Sequence, residues 1–413
     1  MHADSAAVYN DDCPQIAPRK PSQNLVVVEL DPTNTEHTSP IRGFWDRFKN
    51  AVHDKVAAQM YTPRIAITIG DVAGIGPEVA LRACVDSEVR QRCRPTLIGH
   101  PEVIRRAAAS AGIEVEVDEV DDVDERVRPR RVVACWNPAG DDVLGVSSGA
   151  LDAAAGRAAY DYLVAAARAA LDGRADAITT APLNKVALAQ AGLDYPGHTE
   201  ILAELCGVER FAMMLFLPAG PGVKSAHGLG VAHVTLHTAI ANVPGLLSKR
   251  AVGEKIELLN DFMKQVGCDS PRIGVCALNP HGGEQGRFGD EEQRIIAPAV
   301  DAARDSGIDA SGPWPADTLL KRAIAGEFDA VAAMYHDQGH IAIKLIGFDC
   351  AVNVTLGLPI VRTSPSHGTA FDIAGRGLAR ADGMREALKV AAKLSLERHP
   401  LPVAAMRNGS ETL

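Results

Sequence analysis

Three apolar runs in the chain each lead into a histidine. GVAHVTL (230–236) is followed by His237, RIGVCALN (272–279) by Pro280 and His281, and DAVAAMY (329–335) by His336. Short runs rich in Val, Ile and Ala, separated by helical segments, read as buried parallel strands. In open α/β sheets, ligands bind just beyond the carboxyl ends of the strands. Imidazoles delivered to that edge would converge on one divalent metal and leave a coordination position open for substrate. One such histidine reads more simply as a hydrogen-bonding strand cap. Three with the same placement favour the metal. An open site with three histidine ligands also suits metal-activated water, so a zinc hydrolase is the rival from another class. A binding protein that keeps the fold without catalysis is a third reading.

The residues around these histidines narrow the chemistry. After His336 come Asp337, Gln338, Gly339 and His340, then Lys344, Asn353 and Arg362. A carboxylate beside a metal ligand orients it or carries a proton. Lys344 and Arg362 lie in apolar surroundings, HIAIKLIGF and LPIVRTS, where an unpaired charge is costly. Two such cations suit a substrate carrying both a carboxylate and a phosphate. His198 and Thr199, in GHTE, read either as a phosphate or carboxylate site or as a helix start with Thr199 the N-cap. Asp317, in WPADTLL, is either an N-cap or a partner for the metal or the nicotinamide. The turn DVAGIGPE (71–78) either presents backbone N–H groups to an anion or is only a tight strand-to-helix connection.

The elements that position these residues read as α/β. Residues 1–40 are polar and aperiodic and are expected to be disordered, and 41–60 carries apolar positions at helical spacing. Strands are expected at 64–70, 94–100 and 175–182, before the three histidine runs, and over 351–361. Helices are expected after the 71–78 turn, at 148–171 and near 383–396, with an acidic segment at 116–126. At 413 residues, 46% hydrophobic and 23% charged, the chain can bury a large core. A net charge of −10 without a long basic run argues against a nucleic-acid partner. The eight cysteines form no CxxC pair and read as free thiols in a reducing compartment. No signal peptide or membrane span is visible, which makes the expected location cytoplasmic.

Taken in order, GDVAGIGPE, TAPLNK, GHTE, HVTLH, NPHGGE, GPWPADT, MYHDQGH, KLIGF, VNVTLGLP and RTSPSHGTAFDIAGRG resemble the 4-hydroxythreonine-4-phosphate dehydrogenase family over residues 64–392. The resemblance implies a homodimer of two α/β/α domains with largely parallel sheets, similar to isocitrate and isopropylmalate dehydrogenases, with the active site in the interdomain cleft. The first domain would take 62–185 plus 345–413, and the second 186–344 with the dimer interface. His237, His281 and His336 would hold a zinc, magnesium, cobalt or manganese ion, with one ligand supplied by the neighbouring subunit. His198, Thr199, Lys344, Asn353 and Arg362 would bind substrate, and Asp317 and Asp337 would serve proton transfer or support the metal. The implied reaction is NAD- or NADP-dependent oxidation, with decarboxylation, of a 4-phosphorylated four-carbon hydroxy acid. Val72 stands where the family usually has Pro, and Asn184 where the vitamin B6 enzymes commonly have His. With YPGHTE, FGDEE and HDQGH, these details resemble the branch acting on D-threonate or D-erythronate 4-phosphate. Retained Lys344, Asn353 and Arg362 count against the branch that oxidises dihydrodiol dicarboxylates.

Overall fold

The computed structural model describes residues 61–398 except 125 and 221, so the readings for 1–60 lie outside the described residues. The described residues form twelve strands, most of them apolar: β1 Arg64–Thr68, β2 Arg94–Ile98, β3 Glu116–Val120, β4 Val132–Trp136, β5 Ala177–Thr180, β6 Ala212–Leu217, β7 Leu229–His233, β8 Ile273–Cys276, β9 Ala310–Trp314, β10 Ala330–Ala333, β11 Val352–Leu356 and β12 Val361–Pro365. They make one sheet in the order β3-β4-β2-β1-β5-β12-β11-β6-β7-β10-β8-β9. Most pairs are parallel, and β5, β7, β8 and β10 are buried throughout, as expected of strands covered on both faces. The expected α/β class is what the chain adopts.

Strands β4, β6 and β9 lie outside the expected set, and two further details depart from it. The 116–126 segment begins with an edge strand, β3, whose Glu and Asp side chains blunt an otherwise open sheet edge. The 351–361 run is two antiparallel strands rather than one, because Gly357 (φ 86°) turns the chain between β11 and β12.

Direction reverses in the middle of the sheet. β6 is antiparallel to both β11 and β7, and β11 is antiparallel to β12. The ends of β7, β10 and β8 therefore lie level with the start of β12, where Arg362 sits opposite Ile178 of β5. That reversal lets a residue at the start of one strand face residues beyond the ends of others.

Helices flank the sheet, among them α1 Gly76–Cys84, α2 Ala153–Leu171, α3 Lys185–Gln190, α4 His198–Cys206, α5 Ala316–Ile324, α6 His336–Gly347 and α7 Asp382–Arg398. Small residues let α2 approach α3 closely: a Cβ on Gly156 would stand 2.2 Å from the Ala187 carbonyl oxygen. The Asn184 side chain caps α3, accepting from the Val186 and Ala187 amides at 2.9 and 3.1 Å. Asn184 thus has a structural task in TAPLNK.

The 71–78 turn is a tight connection. The Ala73 amide donates to Asp71 Oδ1 (2.9 Å), Gly74 to the Asp71 carbonyl (3.1 Å) and Ile75 to the Thr369 carbonyl (2.9 Å). With these amides already paired, the turn does not present them to an anion. Burial pushes the Asp71 carboxyl up to about 6.

Candidate active site

The histidines sit beyond the strand ends, but not as close as the runs suggested. β7 stops at His233, and His237 follows four residues later in an exposed turn. His336 is the first residue of α6, three positions past β10. His281 follows β8 by five residues, inside a run of left-handed backbone in which His281, Glu284 and Gln285 have φ of 54°, 46° and 59°. For non-glycine residues that conformation costs roughly 1–2 kcal/mol each. The buried Glu292 carboxylate holds the base of this loop, accepting from the Leu278 and Asn279 amides at 2.9 and 2.7 Å.

The MYHDQGH motif can be read atom by atom. His336 Nδ1–H donates to Asp337 Oδ1 at 2.6 Å, which leaves Nε2 as the free donor atom, the arrangement usual for a metal-ligating imidazole. Gln338 accepts from the Met334 amide (2.7 Å) and donates to the Ala277 carbonyl (2.8 Å), tying the ends of β10 and β8 together. Gly339 leaves room for His233, whose Nε2 would lie 2.5 Å from a Cβ there. His340 meets His233, Nδ1 to Nε2 at 3.1 Å, and stacks on His336 with ring centroids 3.7 Å apart. Burial and the neighbouring imidazole push His233 down to about 3, and burial with the adjacent His336 pushes His340 down to about 4. Both are neutral at physiological pH. The runs drew attention to strand ends and missed His233, which is the last residue of its strand. The i, i+4 spacing of His336 and His340 was the signal for the second.

His237 and His336 lie with ring centroids 6.0 Å apart. His281 instead lines a cleft of about 600 Å³ with Asp317, Asp337, Leu320, Ile341 and Leu345. Among the described residues, no group of three His, Cys, Asp or Glu is placed to hold a metal ion. One chain does not complete the expected set. Burial and the Lys185 ammonium hold His237 below the usual imidazole range, which keeps it available as a neutral donor. Asp317 is exposed in the first turn of α5, whose N-cap is Pro315, so the N-cap reading of Asp317 does not hold.

The surroundings of Arg362 are built differently. Arg362 is 2% exposed. Among the described residues it donates only to two hydroxyls, Thr355 Oγ1 (3.1 Å) and Thr180 Oγ1 (2.7 Å), and its Nε has no partner. Burial pushes its guanidinium down to about 10, so it stays charged at neutral pH. Asn353, on β11, has a buried Oδ1 without a partner. His198 opens α4 and is held well below its ordinary range by burial and by Arg362. Thr199 is not the N-cap: Gly197 is, and no side chain caps this helix.

Two residues not singled out from the sequence link the halves. The Lys185 charge acts on both His198 and His237, and the Glu200 carboxylate acts on both His237 and Arg362. Lys344 lies on the histidine side, its charge lowering His340 and its Nζ 6.0 Å from the Phe348 ring centroid.

Comparison with known proteins agrees with this architecture. The profile of the family described as pyridoxal phosphate biosynthetic protein PdxA matches residues 91–391. A 4-hydroxythreonine-4-phosphate dehydrogenase of Geobacter metallireducens is 46% identical over 333 residues, covering 81% of this chain and 96% of the relative. A D-threonate 4-phosphate dehydrogenase of Cupriavidus necator is 43% identical over 340 residues, covering 82% and 99%. The crystal structure of a 4-hydroxythreonine-4-phosphate dehydrogenase from Burkholderia phymatum superposes with a TM-score of 0.68 at 43% identity, covering 81% of this chain and 98% of that one. These matches give no support to a hydrolase. The chain belongs to the PdxA family and is a dehydrogenase acting on a CH–OH group.

Proposed function

We propose that the protein oxidises the C3 hydroxyl of a four-carbon hydroxy acid phosphorylated at C4, with NAD or NADP as hydride acceptor, and that D-threonate or D-erythronate 4-phosphate is the substrate. The observation that carries this reading is Arg362, a buried cation with hydroxyl partners and an orphaned Nε. A buried cation with no anionic group in hydrogen-bond contact is costly, and a substrate carboxylate or phosphate supplies that contact. Asn353 Oδ1, also orphaned, accepts from a substrate hydroxyl. Lys344, on the histidine side, takes the second anionic end, and His198 with Thr199 at the start of α4 adds contacts near Arg362.

His237, His281 and His336 would hold one divalent metal, drawn from two copies because one chain does not bring them together. Asp337 fixes the His336 ring so that Nε2 points outward. When bound, the metal supplies Lewis-acid polarisation of the reacting oxygen. Hydride passes from C3 to nicotinamide, and the hydroxyl proton goes to a nearby base, for which Asp317 and Asp337 are the candidates. The product is a β-keto acid. Its C1–C2 bond breaks with loss of CO2 and protonation at C2, leaving dihydroxyacetone phosphate.

An exposed apolar stripe on and just after α6, the helix that His336 opens, supports a homodimer with a shared site: Ile341, Leu345 and Phe348 are 57%, 83% and 54% exposed. The two domains, 62–185 with 345–413 and 186–344, would join where β11 pairs with β6. 4-Hydroxythreonine 4-phosphate is the second substrate to test, because the 46% identical relative carries that name.

The deciding assay offers the purified enzyme D-threonate 4-phosphate, D-erythronate 4-phosphate, 4-hydroxythreonine 4-phosphate and unphosphorylated D-threonate. Each is given with NAD or NADP and a divalent metal. Reduced nicotinamide, CO2 and dihydroxyacetone phosphate should appear together with the sugar-acid phosphates. Equal turnover of D-threonate and its 4-phosphate would overturn the phosphate assignment. Preference for 4-hydroxythreonine 4-phosphate would replace the substrate and leave the reaction type.

A further inference from the structure

His340 is not among the residues proposed to bind substrate or metal, yet its surroundings are more closely determined than those of any expected metal ligand. It is 6% exposed and faces His233, which is 1% exposed. The 3.1 Å contact between His340 Nδ1 and His233 Nε2 requires that one nitrogen carry the hydrogen and the other accept it. The two rings are therefore locked into a complementary tautomer pair. The other face of His340 lies against His336, with centroids 3.7 Å apart and planes 12° from parallel. This packing exists because residue 339 is glycine, since a Cβ there would stand 2.5 Å from His233 Nε2.

We propose that His340, held by His233, is a positioning residue that fixes the plane of the His336 imidazole for metal binding. His336 opens its helix and is exposed along one edge, so the i, i+4 stacking partner restricts its rotation while Asp337 holds Nδ1. A ring already in its bound orientation loses less rotational freedom on binding. The inference rests on the reading of His336 as a ligand.

The test titrates Co²⁺ into the full-length enzyme, following affinity by calorimetry and the ligand-field absorption of the bound ion. His340→Ala should weaken Co²⁺ binding by roughly ten- to a hundredfold, the range seen when groups supporting a metal ligand are removed. The absorption band should also shift, because the imidazole geometry relaxes. His340→Phe keeps an aromatic face and should recover most of the affinity. His233→Ala should show a smaller loss of the same sign. Wild-type affinity and an unchanged spectrum in a folded His340→Ala protein would overturn the proposal. So would a His340→Phe variant that behaves like His340→Ala. His336→Ala separates the two ideas. If it keeps wild-type Co²⁺ affinity, the ligand assignment itself fails. If it loses the ion while His340→Ala does not, only the positioning role fails.

Discussion

Arg362 and the histidine group use burial in opposite ways. Arg362 sits inside the sheet, fixed by two threonine hydroxyls from β5 and β11, and its geometry is complete within one chain. His237 and His281 are exposed, His336 is partly so, and no described trio closes around an ion. Only the supporting pair, His233 and His340, is deeply buried there. The Arg362 half is thus organised by folding alone. In the proposed enzyme, the metal half would be completed by a second copy.

The sharpest test of that contrast is complementation between inactive variants. Replacing His237, His281 or His336 by Ala should each abolish turnover. If one ligand crosses from a neighbouring subunit in a two-fold dimer, two of the three pairwise mixtures of co-expressed variants restore activity. The mixture that fails identifies the two histidines contributed by the same copy. Activity in none of the mixtures, with dimers verified, would show that the site is not shared.

Arg362→Met probes the other half, and its effects on activity and stability should diverge. Losing hydrogen bonds to a charged substrate oxygen costs about 1.5–3 kcal/mol each, so kcat/KM should fall at least a hundredfold. Replacing a buried, incompletely paired charge by an apolar side chain is often neutral or stabilising by about 1–4 kcal/mol. The thermal midpoint of the substrate-free protein should hold or rise. A variant that loses activity and stability together would mean that Arg362 is structural.

What the sequence revealed follows the same division. Continuous apolar runs identified the parallel strands because buried strands need no alternation. Lys344 and Arg362 stood out as charges in apolar context, and Arg362 is buried as that context implied. Three features were not legible. The β11–β6 pairing inside the reversal joins segments over a hundred residues apart, for which local patterning holds no signal. The N-cap readings of Thr199 and Asp317 failed because Gly197 and Pro315 already occupy the entering position. His233 escaped notice because the run VAHVTL continues past it, although the strand itself ends there.

The smallest expected effect concerns acid stability. His233 and His340 are pushed down to about 3 and about 4, against an ordinary value of 6.5. As pH falls below 6.5 the unfolded chain takes up protons at these positions while the folded chain does not. Stability is therefore full above that value and declines until the folded values are reached. Each neutral histidine contributes about 1.4 kcal/mol per pH unit within the window, although two rings in contact titrate as a pair. His198, also lowered, adds a loss of the same sign. Arg362 behaves differently: at about 10 it remains protonated throughout this range, so its burial penalty is constant. Metal-free protein unfolded with urea between pH 7 and pH 5 should lose stability steeply. A His233→Leu, His340→Leu double variant should show a flatter slope, whatever its absolute stability. An unchanged slope would mean that these two imidazoles are not held neutral by the fold, and the contrast between a pH-insensitive Arg362 and an acid-sensitive His233–His340 pair would fail.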